Sequence, residues 1–64
     1  MSNLKDMRTR RGMTQAQLAD ASGVGLRMIQ QYEQRQNDIN KAAAVTVYQM
    51  AKALHCAVED ILEI

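Results

Sequence analysis

Sixty-four residues bound this chain to one small domain, which buries only about 60% of the surface its unfolded form exposes; the single Cys56 excludes an internal disulfide, and no Cys/His cluster has structural-metal spacing. The absence of Pro and the wealth of Ala, Leu, Met and Gln predict an all-α chain, while the lack of a signal peptide or a run of about 18 apolar residues argues against export or a membrane span, so a reducing cytoplasm is expected. The net charge of +1 implies no partner by itself, but residues 1–41 carry seven basic against four acidic side chains and residues 42–64 one against three, a polarity expected of a surface that meets phosphates on one side or, more plainly, of chance asymmetry in a solvated surface.

Ser2 is placed to cap a first helix over Asn3 to Arg11. Leu4 and Met7 lie at i, i+3 and face the core, with Arg8 and Arg11 continuing the stripe. Arg10 and Arg11 fall in the last turn, where cations complement the helix dipole. Gly12 is a natural stop, and Met13 stands where a hydrophobic staple would. Thr14 and Gln17 then form the S/T-x-x-E/Q pattern of a capping box, opening a second helix with Leu18 and Ala19 on its apolar face. Gly23 supplies the positive φ of a tight turn. In a third helix, at about residues 26–34, Ile29 and Tyr32 are spaced to face the second. Two helices joined at a short turn around a Gly read as a helix-turn-helix unit.

Gln34 to Lys41 reads as a polar loop pinned by Ile39. A fourth helix is predicted from Ala42 to Leu54, with Asn40 as its N-cap. Val47, Met50, Ala51 and Leu54 at i, i+3, i+4, i+7 make it a core wall. A short fifth helix, Val58 to Leu62, carries Glu59 and Asp60 in its first turn and closes the core with Ile61 and Leu62. Residues 1–64 read as a single domain, with no repeat or linker.

The segment LKDMRTRRGMTQAQLADASGVGLRMIQQYE resembles the phage-repressor/Cro-like (XRE-type) helix-turn-helix family of transcription regulators. The shared pattern is Arg8, Gly12-Met13-Thr14-Gln15, Leu18-Ala19, Gly23-Val24, Ile29 and Tyr32-Glu33. The tail YQMAKALHCAVEDIL resembles the family's closing helices, with Ala51, Ala53 and Leu54 as signature. DINKA and TVY look like a variant of small bacterial members. The resemblance covers nearly the whole chain and implies a compact five-helix domain that binds double-stranded operator DNA, usually as a symmetric homodimer. The chain departs from the pattern at Gly25, where Ser or Thr is common, at Leu26, where a polar reader is common, and at Gln34-Arg35, where x-Gly is usual. Ala43, Val45 and Ala57 replace residues that are often polar, so Val45 and Tyr48 are candidates for an exposed partner surface.

At about 100° per residue the third helix turns Ile29 and Tyr32 inward and Arg27, Gln30, Gln31 and Gln34 outward. Arg can bond bidentately to guanine and Gln to adenine, each worth about 1–3 kcal/mol of discrimination. The resemblance implies that Leu26, Arg27 and Gln31 meet base edges; Leu26, without a hydrogen-bonding group, could only pack on a thymine methyl. Leu26, Arg27, Gln30 and Gln31 are thus the base-contacting candidates, against the rival reading of a merely solvated helix face. Gln15 resembles the family's phosphate-contacting glutamine and sits at a helix N-terminus, which favours an anion. Arg10, Arg11, Arg35 and Lys41 are further phosphate candidates, with surface solubility as the rival for each. The resemblance assigns Arg8 and Glu33 to a structural ion pair joining the first helix to the end of the third.

Met7, Met13 and Met50 fit core positions, whereas Met28 is near the rim of the third helix. His55 and Cys56 are adjacent, but no ligand or nucleophile set converges on them. With no Gly-rich phosphate loop and no paired acids, the sequence predicts no enzyme, cofactor, metal or small-molecule ligand. Two functions remain open. One is a sequence-specific DNA-binding regulator, a repressor acting as a homodimer through the side that carries the fifth helix and Ile64. The other is a non-enzymatic protein-interaction module on the same fold, antitoxin-like or a phage adaptor.

Overall fold

Side-chain caps start the first two helices of the computed structural model, which describes residues 2–64. α1 (Asn3–Arg10) opens with the Ser2 hydroxyl accepting from the Lys5 N–H at 3.2 Å. α2 (Gln15–Ser22) opens on a reciprocal capping box. There Thr14 Oγ1 accepts from the Gln17 N–H at 3.1 Å, and Gln17 Oε1 accepts from the Thr14 N–H at 2.8 Å. Gly23, at φ +76°, reverses the chain, and α3 (Leu26–Glu33) begins after a three-residue turn.

Three of the four α-helix C-termini share one device. After α1, α3 and α4 (Ala44–Ala53), an N–H returns to the carbonyl five residues back: Met13 to Arg8 at 3.1 Å, Gln36 to Gln31 at 2.9 Å, Cys56 to Ala51 at 3.0 Å. This is the Schellman turn, which passes through one left-handed residue. That residue is Gly12 after α1, but Arg35 (φ +60°) after α3 and His55 (φ +54°) after α4. Arg35 therefore takes the conformation for which Gly is the usual choice, and α3 ends at Glu33. A left-handed L-residue costs about 1–2 kcal/mol, and replacing it with Gly adds back about 0.5–1 kcal/mol through the freer unfolded chain. His55→Gly is accordingly expected to raise stability by about 0.5–1 kcal/mol in urea denaturation.

Two expectations need correction. The fourth helix starts at Ala44, not Ala42, and Asn40 does not cap it. Asn40 lies within a 3-10 turn, Ile39–Lys41, where its N–H donates to the Asp38 carboxylate at 2.9 Å. Its side chain is occupied by Glu63: Nδ2 donates to the Glu63 carbonyl at 3.0 Å, and Oδ1 accepts from the Glu63 N–H at 2.8 Å. Buried Ile39 anchors that turn and leaves Ala42 extended. Three consecutive alanines carry no side-chain group that could fix the helix start, so the tertiary anchor decides it. The fifth helix is a single 3-10 turn, Val58–Asp60, whose Asp60 carboxylate accepts from the Ala57 N–H at 3.0 Å. So short a segment cannot recover the cost of nucleating an α-helix, and the turn is instead pinned by fully buried Ile61. Among the described residues the all-α architecture is four α-helices and two 3-10 turns, not five helices.

Leu4, Leu18, Ile29, Met50, Leu54 and Ile61 are fully buried and come from all four helices and the closing segment. Burial of each such side chain is worth about 1.5–3 kcal/mol. Met7 and Met13 pack partly against this cluster, and Met28 is exposed. α2 packs on both α3 and α4, while α1 meets α3 and the closing 3-10 turn. α3 is thus held by its inner face, through Ile29 and Tyr32, and its opposite face is left uncovered.

Candidate nucleic-acid interface

The angle between α2 and α3 is braced from outside by one charged cluster. Arg8, on α1, reaches the last residue of α3: Nε donates to Glu33 Oε2 at 2.7 Å and Nη2 to Glu33 Oε1 at 3.0 Å. Its remaining nitrogen, Nη1, donates to the Met13 carbonyl at 2.8 Å. The two side chains are only 11% and 3% exposed. The fork-on-fork geometry is the strong form of an ion pair, and it fastens α1, the turn before α2 and the end of α3 together. Glu33 Oε1 also accepts from Gln15 Nε2 at 3.0 Å. Gln15, in the first turn of α2, is therefore held against the end of α3 with its amide orientation fixed.

The uncovered face of α3 gathers Leu26, Arg27, Gln30, Gln31, Gln34 and Gln36 around one shallow depression. Five of the six lie on α3 or at its C-cap, as a 3.6-residue repeat requires. Gln36 is the member the sequence did not suggest. The Schellman turn folds it back so that its N–H meets the Gln31 carbonyl, and no local signal marked that turn because Arg35 stands where Gly would. At the start of α3, Gly25 is the N-cap and offers no side-chain hydrogen bond.

The four basic phosphate candidates separate. Arg10, in the last turn of α1, and Lys41, at the end of the first 3-10 turn, are exposed. Arg11 needs correction as part of the core stripe. It is exposed, but its Nε donates to the Leu54 carbonyl at 2.7 Å and its Nη2 to the His55 carbonyl at 3.2 Å. The last carbonyls of a helix attract a cation, and Arg11 serves the C-terminus of α4 in that way. Arg35 donates to Glu63 through Nη2, so its charge is shared with the C-terminal segment.

A family model described as helix-turn-helix, of the XRE/Cro/C1 type, matches residues 4–61. The chain belongs to that family. No curated protein and no solved structure matches it. The match runs from the first core residue, Leu4, to the last, Ile61, so it takes in the brace, the turn and α3 together.

Membership makes this XRE-type protein a DNA-binding regulator. Among the described residues no group of three or more His, Cys, Asp or Glu could hold a metal ion, and no helix is long and apolar enough to cross a membrane. The Cys56 thiol is pushed above its ordinary pKa, first by burial and then by the Asp60 carboxylate, against an opposing pull from Arg11. A thiol held protonated is a poor nucleophile.

Proposed function

We propose that this regulator is a repressor that binds a pseudo-palindromic operator as a homodimer, laying α3 in the major groove. The observation that carries the reading is the convergence of Arg27, Gln30, Gln31 and Gln34 on one uncovered helix face. Arg and Gln are the side chains that bond bidentately to guanine and adenine in that groove. Leu26 opens the same face. Gln15, Arg10 and Lys41 supply phosphate contacts that set position and salt dependence without reading sequence. Selection of bound duplexes from a random pool tests this directly. An inverted repeat should emerge, with half-site centres one helical turn, about 34–36 Å, apart. A pool that yields no enriched sequence, with no binding even at low salt, would overturn the proposal.

The homodimer rests on an apolar surface away from α3. Val45 and Tyr48 are exposed on α4 at 61% and 55%. Tyr48 shares an apolar groove with Ile39, Val47, Val58 and Leu62. Exposed apolar area of this kind on so small a domain marks a partner surface. Tyr48→Glu is expected to sediment as a monomer at concentrations where the parent is dimeric, with the helical signal retained. A parent protein that is monomeric alone would favour the second reading, a protein-interaction module whose partner is a different chain.

A further inference from the structure

One position on the proposed reading face is chemically unlike its neighbours. Of the six side chains around the depression on α3, five carry a hydrogen-bonding head and one, Leu26, does not. Leu26 is the first residue of α3 and is 42% exposed, although the core lies one turn further along the helix at Ile29. No polar side chain stands at the residue before it. Gly25 has no side chain, and even an added Cβ there would touch only Met28 Cγ, at 3.9 Å. The tip of α3 therefore presents an aliphatic group with clear approach, beside the Arg27 guanidinium and the Gln30 amide.

We propose that Leu26 makes this regulator select a pyrimidine carrying a 5-methyl group at one position of each half-site. The inference rests on the DNA-reading role of α3 proposed above and gives that role a specific chemistry. In the major groove the four bases differ in donors and acceptors, but only thymine offers an apolar group, its C5-methyl. A leucine set among glutamines gains nothing from a donor or acceptor and loses hydration favourably only against that methyl. Cytosine bears hydrogen at C5 and leaves Leu26 facing a polar edge. 5-Methylcytosine restores the same methyl at the same place, so the contact distinguishes the methyl group rather than the base pair.

The test alters the DNA and leaves the protein intact. The selected operator is synthesised with each thymine replaced in turn by uracil, symmetrically in both half-sites, and binding is measured by fluorescence anisotropy at fixed salt. Loss of one buried methyl is worth about a fourfold weakening per half-site, or roughly fifteenfold for the pair. The expected result is one such thymine position. There the uracil effect vanishes in Leu26→Ala, and 5-methylcytosine binds about fourfold per half-site more tightly than cytosine. Leu26 is exposed, so the variant should keep the parent's melting temperature, which checks that the fold is intact. Tight binding of the selected operator with no thymine sensitive to uracil overturns the inference and leaves the DNA-reading role standing. So does a uracil effect that persists in Leu26→Ala. Failure to select any operator removes the reading on which the inference rests.

Discussion

Arg8→Ala is expected to remove between about a third and all of the domain's stability. Removing Arg8 leaves the Glu33 carboxylate, 3% exposed, with Gln15 Nε2 as its remaining partner at 3.0 Å. It also strips the Met13 carbonyl of its guanidinium donor. Breaking a buried pair from one side typically costs about 3–5 kcal/mol, because the surviving charge stays desolvated and uncompensated. A domain of this length holds a total stability of about 3–10 kcal/mol, so the single change consumes a third of it or all of it. Glu33→Ala should cost a similar amount, since the guanidinium would keep only the Met13 carbonyl. The double change Arg8→Met with Glu33→Met should be less damaging than either single. It removes both charges, replaces them with flexible apolar side chains, and leaves no buried charge without its counter-charge, the groups short of a partner being neutral. Urea midpoints followed by circular dichroism decide the matter. If each single change costs less than about 1 kcal/mol, the pair is worth no more than an exposed one, and the brace does not hold the helix-turn-helix angle.

The helix starts with side-chain caps were legible in the sequence because their determinants are local. Ser2, Thr14 and Gln17 each satisfy a backbone group within three residues, and a capping pattern at that range can be read without knowing the fold. Gly12 and Gly23 were legible for the same reason, as positive-φ positions filled by the residue that takes them at no steric cost. The misread boundaries share the opposite cause. The start of α4 depends on Ile39 entering the core and on Asn40 pairing with Glu63, 23 residues away. The turns after α3 and α4 use Arg35 and His55 in place of Gly, so their geometry carries no local signature. At the site, helical periodicity brought out Arg27, Gln30, Gln31 and Gln34 on one face. It could not bring out Gln36, which reaches that face only through the turn, nor the commitment of Arg11 to the end of α4, 43 residues on. Arg11 shows the general point: by charge alone a basic residue near a helix end suits a phosphate or a carbonyl terminus equally well, and its bonds to the end of α4 follow only from how α1 packs against the closing segments.

Arg27→Ala combined with Gln31→Ala is expected to abolish operator discrimination while leaving the fold and residual non-specific binding in place. Neither side chain has a part in the core, and Arg27 is exposed, so the melting temperature should stay within a few degrees of the parent's. Removing one bidentate bond to a base costs about 1–3 kcal/mol, or roughly 5- to 150-fold, and a dimer suffers each removal twice. The double variant should then bind the selected operator little better than random duplex. The salt dependence separates this effect from weakened phosphate binding. Base contacts release few counterions, so removing Gln31 alone should leave the slope of log K against log salt nearly unchanged. Lys41→Ala should behave in the opposite way. It would weaken operator and random duplex by a similar factor and flatten the slope by about 0.9 for each phosphate that Lys41 neutralises. If Gln31→Ala flattened the slope and weakened all sequences equally, the outer face of α3 would be meeting the backbone rather than the bases. If the Arg27/Gln31 double variant bound the selected operator as tightly as the parent, α3 would not be the reading helix at all.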